Sequence, residues 1–165
     1  MNIREKTVAL IDELKATCQS AGLGNDGNEF KIITQVFLYK FLNDKFGYTL
    51  KNKDTRYKAQ FENVSDWEGE YSKLSEDEQK RVCRAMGADC PNLYSRHLIT
   101  QLWNQQTKGD FDIIFDSTMK DIAAENMEEK KNKNWIDKLK DALRFSAYAS
   151  LFSYPLVAYH FYTIS

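Results

Sequence analysis

The sequence holds few of the residues from which active sites and metal centres are built. Its histidines are His97 and His160, and its cysteines are Cys18, Cys83 and Cys90. The two histidines lie far apart and have no acidic residues at metal-ligand spacing, so we expect neither to be a metal ligand or a general base. The cysteines are odd in number and widely spaced, so they fit neither a disulfide framework nor a zinc site. They favour a reducing cytoplasm.

Recognisable catalytic motifs are also missing. No Gly-x-Ser-x-Gly elbow occurs and no cysteine has a histidine near it in sequence, which leaves nucleophilic catalysis unsupported unless the fold brings such residues together. The Gly-Asn-Asp-Gly stretch at residues 24–27 lacks the preceding strand and the Gly-Lys-Ser/Thr ending of a phosphate loop, so it favours a helix entry. The acidic pairs Asp110 with Asp112 and Glu128 with Glu129 lie where helix caps and solvated charge are expected. We therefore predict no catalytic, cofactor-binding or metal-binding residue in this chain.

A large excess of charge of either sign is absent as well. The formal net charge is -1, so the surface as a whole is not a polycation, and any DNA contact must come from a local patch. The first residues contain no apolar signal core. The aromatic-rich run at residues 147–165 includes Ser150, Ser153, Pro155 and His160, which disfavours a membrane span. We expect a cytoplasmic protein without a membrane partner.

What the sequence does contain is helical periodicity. Apolar residues recur at intervals of three and four, and no segment alternates with period two. The pattern predicts helices at residues 3–19, 29–46, 76–86, from about 98 to near 109, and 111–126, with a sixth from Trp135 to about Tyr148. Ser75 and Glu78 have capping-box spacing, and Gly47 and Gly87 are expected stops. The predicted fold class is all-α, an irregular bundle of five to six helices with a long charged loop, residues 49–73, after the second helix.

The second helix is the most informative element. Residues 28–48, N-E-F-K-I-I-T-Q-V-F-L-Y-K-F-L-N-D-K-F-G-Y, are apolar around most of a helix circumference, which is typical of a helix at the centre of a bundle. We expect its buried row to be Phe30, Ile33, Phe37 and Phe41, widened by Ile32, Val36 and Leu42.

One basic cluster follows this helix. Its members are Lys51, Lys53, Arg56 and Lys58, with Tyr57 among them. Such residues can neutralise phosphates, which makes them candidates for contact with the DNA backbone. The alternative is a solvated charged loop, balanced in part by Asp54 and by the acidic stretch at residues 62–70. A second basic group, Lys130, Lys131 and Lys133, is a weaker candidate.

The order and spacing of these residues resemble the amino-terminal helical domain of the modification (M) subunit of type I restriction-modification systems. In that family a helix that begins near a Gly-Asn-Met-Asp/Glu-x-x-Glu-Tyr turn runs to Lys-Tyr-Leu-Ser-Asp-Lys-Phe. Here Gly24-Asn25 precede Glu29-Phe30, and residues 40–46 read Lys-Phe-Leu-Asn-Asp-Lys-Phe. The fifth predicted helix, with Ile122-Ala-Ala-Glu-Asn126, is similar to a later helix of the family that ends in an Ile-Glu-x-x-Asn-like phrase.

The resemblance covers residues 1–145 and implies a helical accessory module of an adenine-specific DNA methyltransferase. The parent enzyme would use S-adenosylmethionine and an Asn-Pro-Pro-Tyr/Phe motif, and neither that motif nor the Gly-rich cofactor loop occurs here. The implied partners are DNA, the specificity subunit and the other modification-complex subunits, with Lys51 to Lys58 contacting the DNA backbone. The tail at residues 146–165 is then a truncated connection to a missing methyltransferase domain. The alternative is a stand-alone helical adaptor that binds a protein partner and has no DNA role.

The missing cofactor loop generates a first prediction. We expect the 165-residue chain neither to bind S-adenosylmethionine nor to methylate DNA. Isothermal titration with the cofactor is the direct measurement. Saturable binding at micromolar cofactor would contradict the interpretation of the chain as an accessory module.

Overall fold

The computed structural model describes residues 3–20, 22, 27–107 and 109–127, and every regular element in these ranges is helical. The helices are α1 (Ile3–Ser20), α2 (Gly27–Asn52), α3 (Lys58–Phe61), α4 (Trp67–Ser72), α5 (Glu76–Met86), α6 (Ile99–Trp103) and α7 (Phe111–Met127), with a 3-10 turn at Ser95–His97. The predicted all-α class is confirmed. Among these helices none is both long and apolar enough to cross a bilayer.

Several predictions concern residues for which the structure gives no description. These are the helix from Trp135 to Tyr148, the basic group Lys130, Lys131 and Lys133, and the tail at residues 146–165. They lie outside the described residues.

Three helices begin and end close to their predicted positions, because their sequences carry local signals. They are α1, α5 and α7. At α5 the Ser75 hydroxyl accepts from the Glu78 amide, and the Glu78 carboxylate accepts from the Ser75 amide at 3.0 Å, which forms the expected capping box. Gly87 follows α5 with φ of 76°, a conformation that favours glycine.

The helix predicted from about residue 98 to near 109 is shorter in the structure. It ends at Trp103. The Gln105 and Gln106 amides bond to carbonyls three residues earlier, at 2.9 and 3.1 Å, so tight turns replace the α-helical pattern.

The buried face of α2 matches the expected one only in part. Buried residues along this helix include Ile32, Val36, Tyr39, Leu42, Phe46 and Leu50. Of the expected row, Ile33 is buried, Phe37 is half-buried and Phe41 is 54% exposed; the side chain of Phe30 lies outside the described residues. Because α2 is apolar on nearly every side, periodicity alone could not determine which face the other helices cover.

Gly47 does not end α2, and the predicted stop is wrong. The helix continues to Asn52. A Cβ atom at Gly47 would lie 2.6 Å from Cε2 of Trp67. The glycine therefore allows the indole of α4 to lie directly against the backbone of α2, which is a packing role and not a stop signal.

The charged stretch after α2 contains two short helices, α3 and α4, which bring aromatic side chains into the core. Phe61 and Tyr71 are fully buried. The ring of Tyr71 lies 5.2 Å from that of Phe46 on α2 and 6.5 Å from that of Phe61, measured between centroids. These three rings hold the stretch against the bundle, so the expected long loop is reduced to two short links, residues 53–57 and residues 62–66.

The link between α5 and α6 is irregular and yet largely buried. We call residues 90–98 the buried connector. The side chain of Asn126, on α7, accepts from the Asn92 amide at 2.7 Å and donates to the Asn92 carbonyl at 3.0 Å. The Tyr71 hydroxyl donates to the Leu93 carbonyl at 2.7 Å. Side chains of α4 and α7 therefore supply the hydrogen bonds that a helix or strand would otherwise supply.

Further along the connector, side chains of two other helices also bond to its backbone. Gln79 of α5 accepts from the Ser95 amide at 2.9 Å through Oε1. The hydroxyl of Tyr39, on α2, donates to the His97 carbonyl at 2.7 Å. Four helices are therefore joined to one another through the backbone of the connector.

The set of α2 side chains that the structure buries generates a second prediction. Phe46→Ala should lower the free energy of unfolding by about 3–5 kcal/mol, because it removes a fully buried ring. Phe41→Ala, the same change on the same helix at a half-exposed ring, should change it by less than about 0.5 kcal/mol. Urea unfolding of both variants measures the difference. Similar losses at the two positions would show that the buried face of α2 is assigned incorrectly.

Candidate nucleic-acid interface

The structure places the four basic candidates around a single turn, which we call the basic turn (residues 51–58). Lys51 lies in the last turn of α2, Lys53 and Arg56 lie between the helices, and Lys58 is the first residue of α3. The grouping expected from the sequence is therefore present, on a much shorter connection.

Lys53 has a structural partner. Its Nζ donates to the carbonyl oxygen of Met86, the last residue of α5. A cation at this position satisfies a terminal carbonyl and interacts favourably with the negative end of the helix dipole. In this arrangement Lys53 joins the end of α5 to the end of α2, and its ammonium group already has a structural partner.

Arg56 is oriented by its neighbour. Its guanidinium carbon lies 4.7 Å from the centroid of the Tyr57 ring, and it also donates to the Tyr57 hydroxyl. Tyr57 itself is half-buried and packs against the core. A partly buried ring therefore holds an exposed guanidinium at the surface, with further N–H donors free to face solvent.

Three of the four charges are not neutralised by carboxylates. Lys51, Arg56 and Lys58 take part in none of the ion pairs found in the described ranges. Several other exposed lysines are paired one helical turn away, as Lys73 is with Glu70 and Lys80 with Glu76. The basic turn is thus a local surplus of positive charge on a chain with a net charge of -1.

A second polar cluster surrounds His97, which is 1% exposed. Its Nε2 lies 2.7 Å from Oδ2 of Asp121 on α7. Arg96 bridges Asp121 at 2.7 Å and Glu125 at 2.9 Å, and its guanidinium lies 4.6 Å from the centroid of the Tyr94 ring. Sequence reasoning missed this cluster, because the acidic partner of His97, Asp121, comes from a distant helix, α7.

The hydrogen bonds of His97 determine its tautomer. The backbone amide of Tyr94 donates to Nδ1 at 3.1 Å. An amide can only donate, so Nδ1 carries no proton and Nε2 donates to Asp121. Burial disfavours the imidazolium and lowers the pKa of His97, and the hydrogen bond to Asp121 opposes this shift without reversing it. Both ring nitrogens are occupied, so this histidine joins α7 to the buried connector and has no lone pair for a metal or a substrate.

A buried carboxylate organises the start of α6. Glu68 of α4 is 9% exposed, and its Oε1 accepts from the Asn43 amide group at 2.8 Å. Its Oε2 accepts from the backbone and the hydroxyl of Thr100 at 3.0 and 2.7 Å. Sequence reasoning placed Glu68 in an acidic surface stretch, and only the fold reveals that it links α2, α4 and α6.

The cysteines are buried and form no disulfide. Burial raises the pKa of the Cys90 thiol to about 11, so this thiol stays protonated near neutral pH and is a poor nucleophile.

No protein-family model matches this chain, and no match was found among curated proteins or among solved structures. The function must therefore be inferred from the residues and their geometry. Within the described ranges the basic turn gathers three cations that have no carboxylate partner into one short segment, which makes it the candidate interface.

The geometry of His97 generates a third prediction. Because folding lowers the pKa of His97, the unfolded chain takes up a proton first as the pH falls through about 6.5. The free energy of unfolding should consequently decrease between about pH 7.5 and pH 5. Asp121, whose pKa is lowered by its Arg96 and His97 hydrogen bonds despite the opposing effect of burial, contributes only at more acidic pH.

Denaturant unfolding across this pH range measures the effect. His97→Asn keeps an acceptor for the Tyr94 amide and should remove most of the decrease. His160→Asn, which removes the other histidine of the chain, is the control. An unchanged pH dependence in the His97 variant would contradict a buried neutral imidazole.

Proposed function

We propose that this chain is the helical accessory module of a type I restriction-modification adenine-specific DNA methyltransferase, acting in the cytoplasm. It assists DNA clamping and contacts the specificity subunit without itself being catalytic. The observation that carries the proposal is the position of the basic turn. Three cations without carboxylate partners lie in the last turn of α2 and just beyond it, and α2 is the helix in which the sequence resemblance to that family is strongest.

The chemistry of the basic turn suits contact with phosphates. Lys51 and Lys58 supply ammonium groups, and Arg56 supplies a planar guanidinium that can bind two phosphate oxygens at once. Such contacts position a protein on nucleic acid without reading its bases. Sequence recognition would then belong to the specificity subunit, and S-adenosylmethionine would be bound by the methyltransferase domain of the parent enzyme.

The end of α7 has a structural role in this fold. Glu125 and Asn126 end the phrase that resembles the family. Asn126 is fully buried and pairs with the backbone of Asn92, and Glu125 pairs with Arg96. In this fold the phrase therefore fastens the last described helix to the buried connector.

The alternative function is a stand-alone helical adaptor that binds proteins and has no DNA role. It differs from the first proposal in one measurable respect. An adaptor has no reason to bind duplex DNA with an affinity that falls steeply as salt increases.

Salt dependence generates a fourth prediction. The triple variant Lys51→Gln, Arg56→Gln and Lys58→Gln should reduce the slope of log affinity against log salt by up to about 2.7, at about 0.9 per lost phosphate contact. Fluorescence anisotropy with a labelled duplex, started at low salt, measures the slope. Lys53→Gln should lower stability, because it removes the partner of the Met86 carbonyl, but should leave the slope unchanged.

A control of equal charge separates this local effect from net charge. Lys73, Lys80 and Lys120 each pair with a carboxylate one helical turn away. Changing all three to glutamine alters the net charge by the same amount and should affect the slope much less. Equal slopes for the two triple variants would favour the adaptor. The basic turn would then be a solvated charged loop without a role in DNA binding.

A further inference from the structure

Two aromatic side chains project from α2 into solvent. Phe41 is 54% exposed and Tyr48 is 70% exposed, whereas most large apolar residues in the described ranges are covered. They are seven residues apart, so they lie on the same face of the helix. Their exposure adds nothing to the core, and it leaves part of each ring open to solvent on one side of the helix.

A cation lies between these two residues along the helix. Lys45 is on the same face, and its Nζ is 5.8 Å from the centroid of the Phe41 ring. The nearest exposed carboxylate on the helix, Asp44, is held by Lys40 at 2.7 Å. The face therefore combines open rings with positive charge, and we call Phe41, Lys45 and Tyr48 the aromatic face.

The aromatic face leads along α2 to the basic turn. Tyr48 is three residues before Lys51, less than one helical turn. Beyond the helix end Arg56 stacks on Tyr57 at 4.7 Å, so a cation next to an aromatic ring occurs again. Rings for stacking and cations for phosphates thus follow one another along the same stretch of chain.

We infer that the aromatic face and the basic turn together bind single-stranded nucleic acid, with bases stacked on Phe41 and Tyr48 and phosphates held by the cations. This inference rests on the proposed function for the phosphate contacts and adds the unpaired bases. The two Cα atoms are separated by about 10.5 Å along the helix axis, at about 1.5 Å per residue. This distance corresponds to about three nucleotides at the spacing of about 3.4 Å along one strand.

A protein partner fits the same face less well. Protein interfaces are depleted in charged residues at their centre, whereas here Lys45 lies over the Phe41 ring and between the two aromatic residues along the helix. Every base offers a π face and every nucleotide a phosphate, so a single strand satisfies both components of the aromatic face.

The test compares a labelled single-stranded oligonucleotide of mixed sequence with its duplex, using the full chain at low salt. The double variant Phe41→Ala and Tyr48→Ala should bind the single strand at least about tenfold more weakly, while its affinity for the duplex changes by less than about twofold. The variant Phe41→Trp and Tyr48→Trp keeps both rings and should retain single-strand affinity. Val8→Ala with Ile113→Ala, which removes two other exposed apolar side chains, is the matched control and should leave both affinities unchanged.

The outcomes separate this inference from the proposed function. If the basic-turn variant loses duplex affinity while the alanine variant binds the single strand normally, the stacking inference is wrong and the proposed function stands. If the chain binds neither nucleic acid, both are wrong. Self-association that is abolished by Phe41→Ala with Tyr48→Ala, without any change in nucleic-acid binding, would identify the face as a contact between copies and overturn the inference.

Discussion

The fold depends on a constraint imposed by the buried connector: a largely buried backbone whose regular structure is limited to the 3-10 turn at Ser95–His97 must find hydrogen-bond partners elsewhere. Here the partners are side chains. Tyr39, Tyr71, Gln79 and Asn126 come from four different helices and meet the connector at 2.7 to 3.0 Å. Each unsatisfied group would cost about 1–3 kcal/mol, so the helices are held in one arrangement by the needs of this segment.

This constraint explains why most of the polar groups in the interior have no capacity left for chemistry. His97 uses both nitrogens to join α7 to the connector, and Glu68 uses one oxygen to bond to Asn43 on α2 and the other to hold the start of α6. A buried histidine beside an aspartate could be mistaken for a catalytic pair. The hydrogen bond that the Tyr94 amide donates to Nδ1 argues against this, because Nδ1 is then an acceptor that is already engaged.

Helix caps and helix ends that depend on neighbouring residues could be predicted from the sequence. The Ser75 and Glu78 cap, the stop at Gly87 and the extent of α7 depend on residues a few positions apart, and all were predicted correctly. The role of Gly47 depends on Trp67, twenty positions later in the chain, and the role of Lys53 depends on Met86. The four basic candidates could be named from their spacing, but no pattern in the sequence distinguishes the one that caps a helix from the three that remain unpaired.

The helix α2 shows how structural and functional demands can divide a single element. One side supplies Val36, Tyr39 and Phe46 to the core, and the stability of the domain depends on that side. The opposite side carries Phe41 and Tyr48, which the fold does not use, and it continues into cations that no carboxylate neutralises. A helix that is apolar all round is ordinarily covered all round. Because this helix is left uncovered where positive charge adjoins it, its exposed side suits the anionic, π-rich partner that we propose.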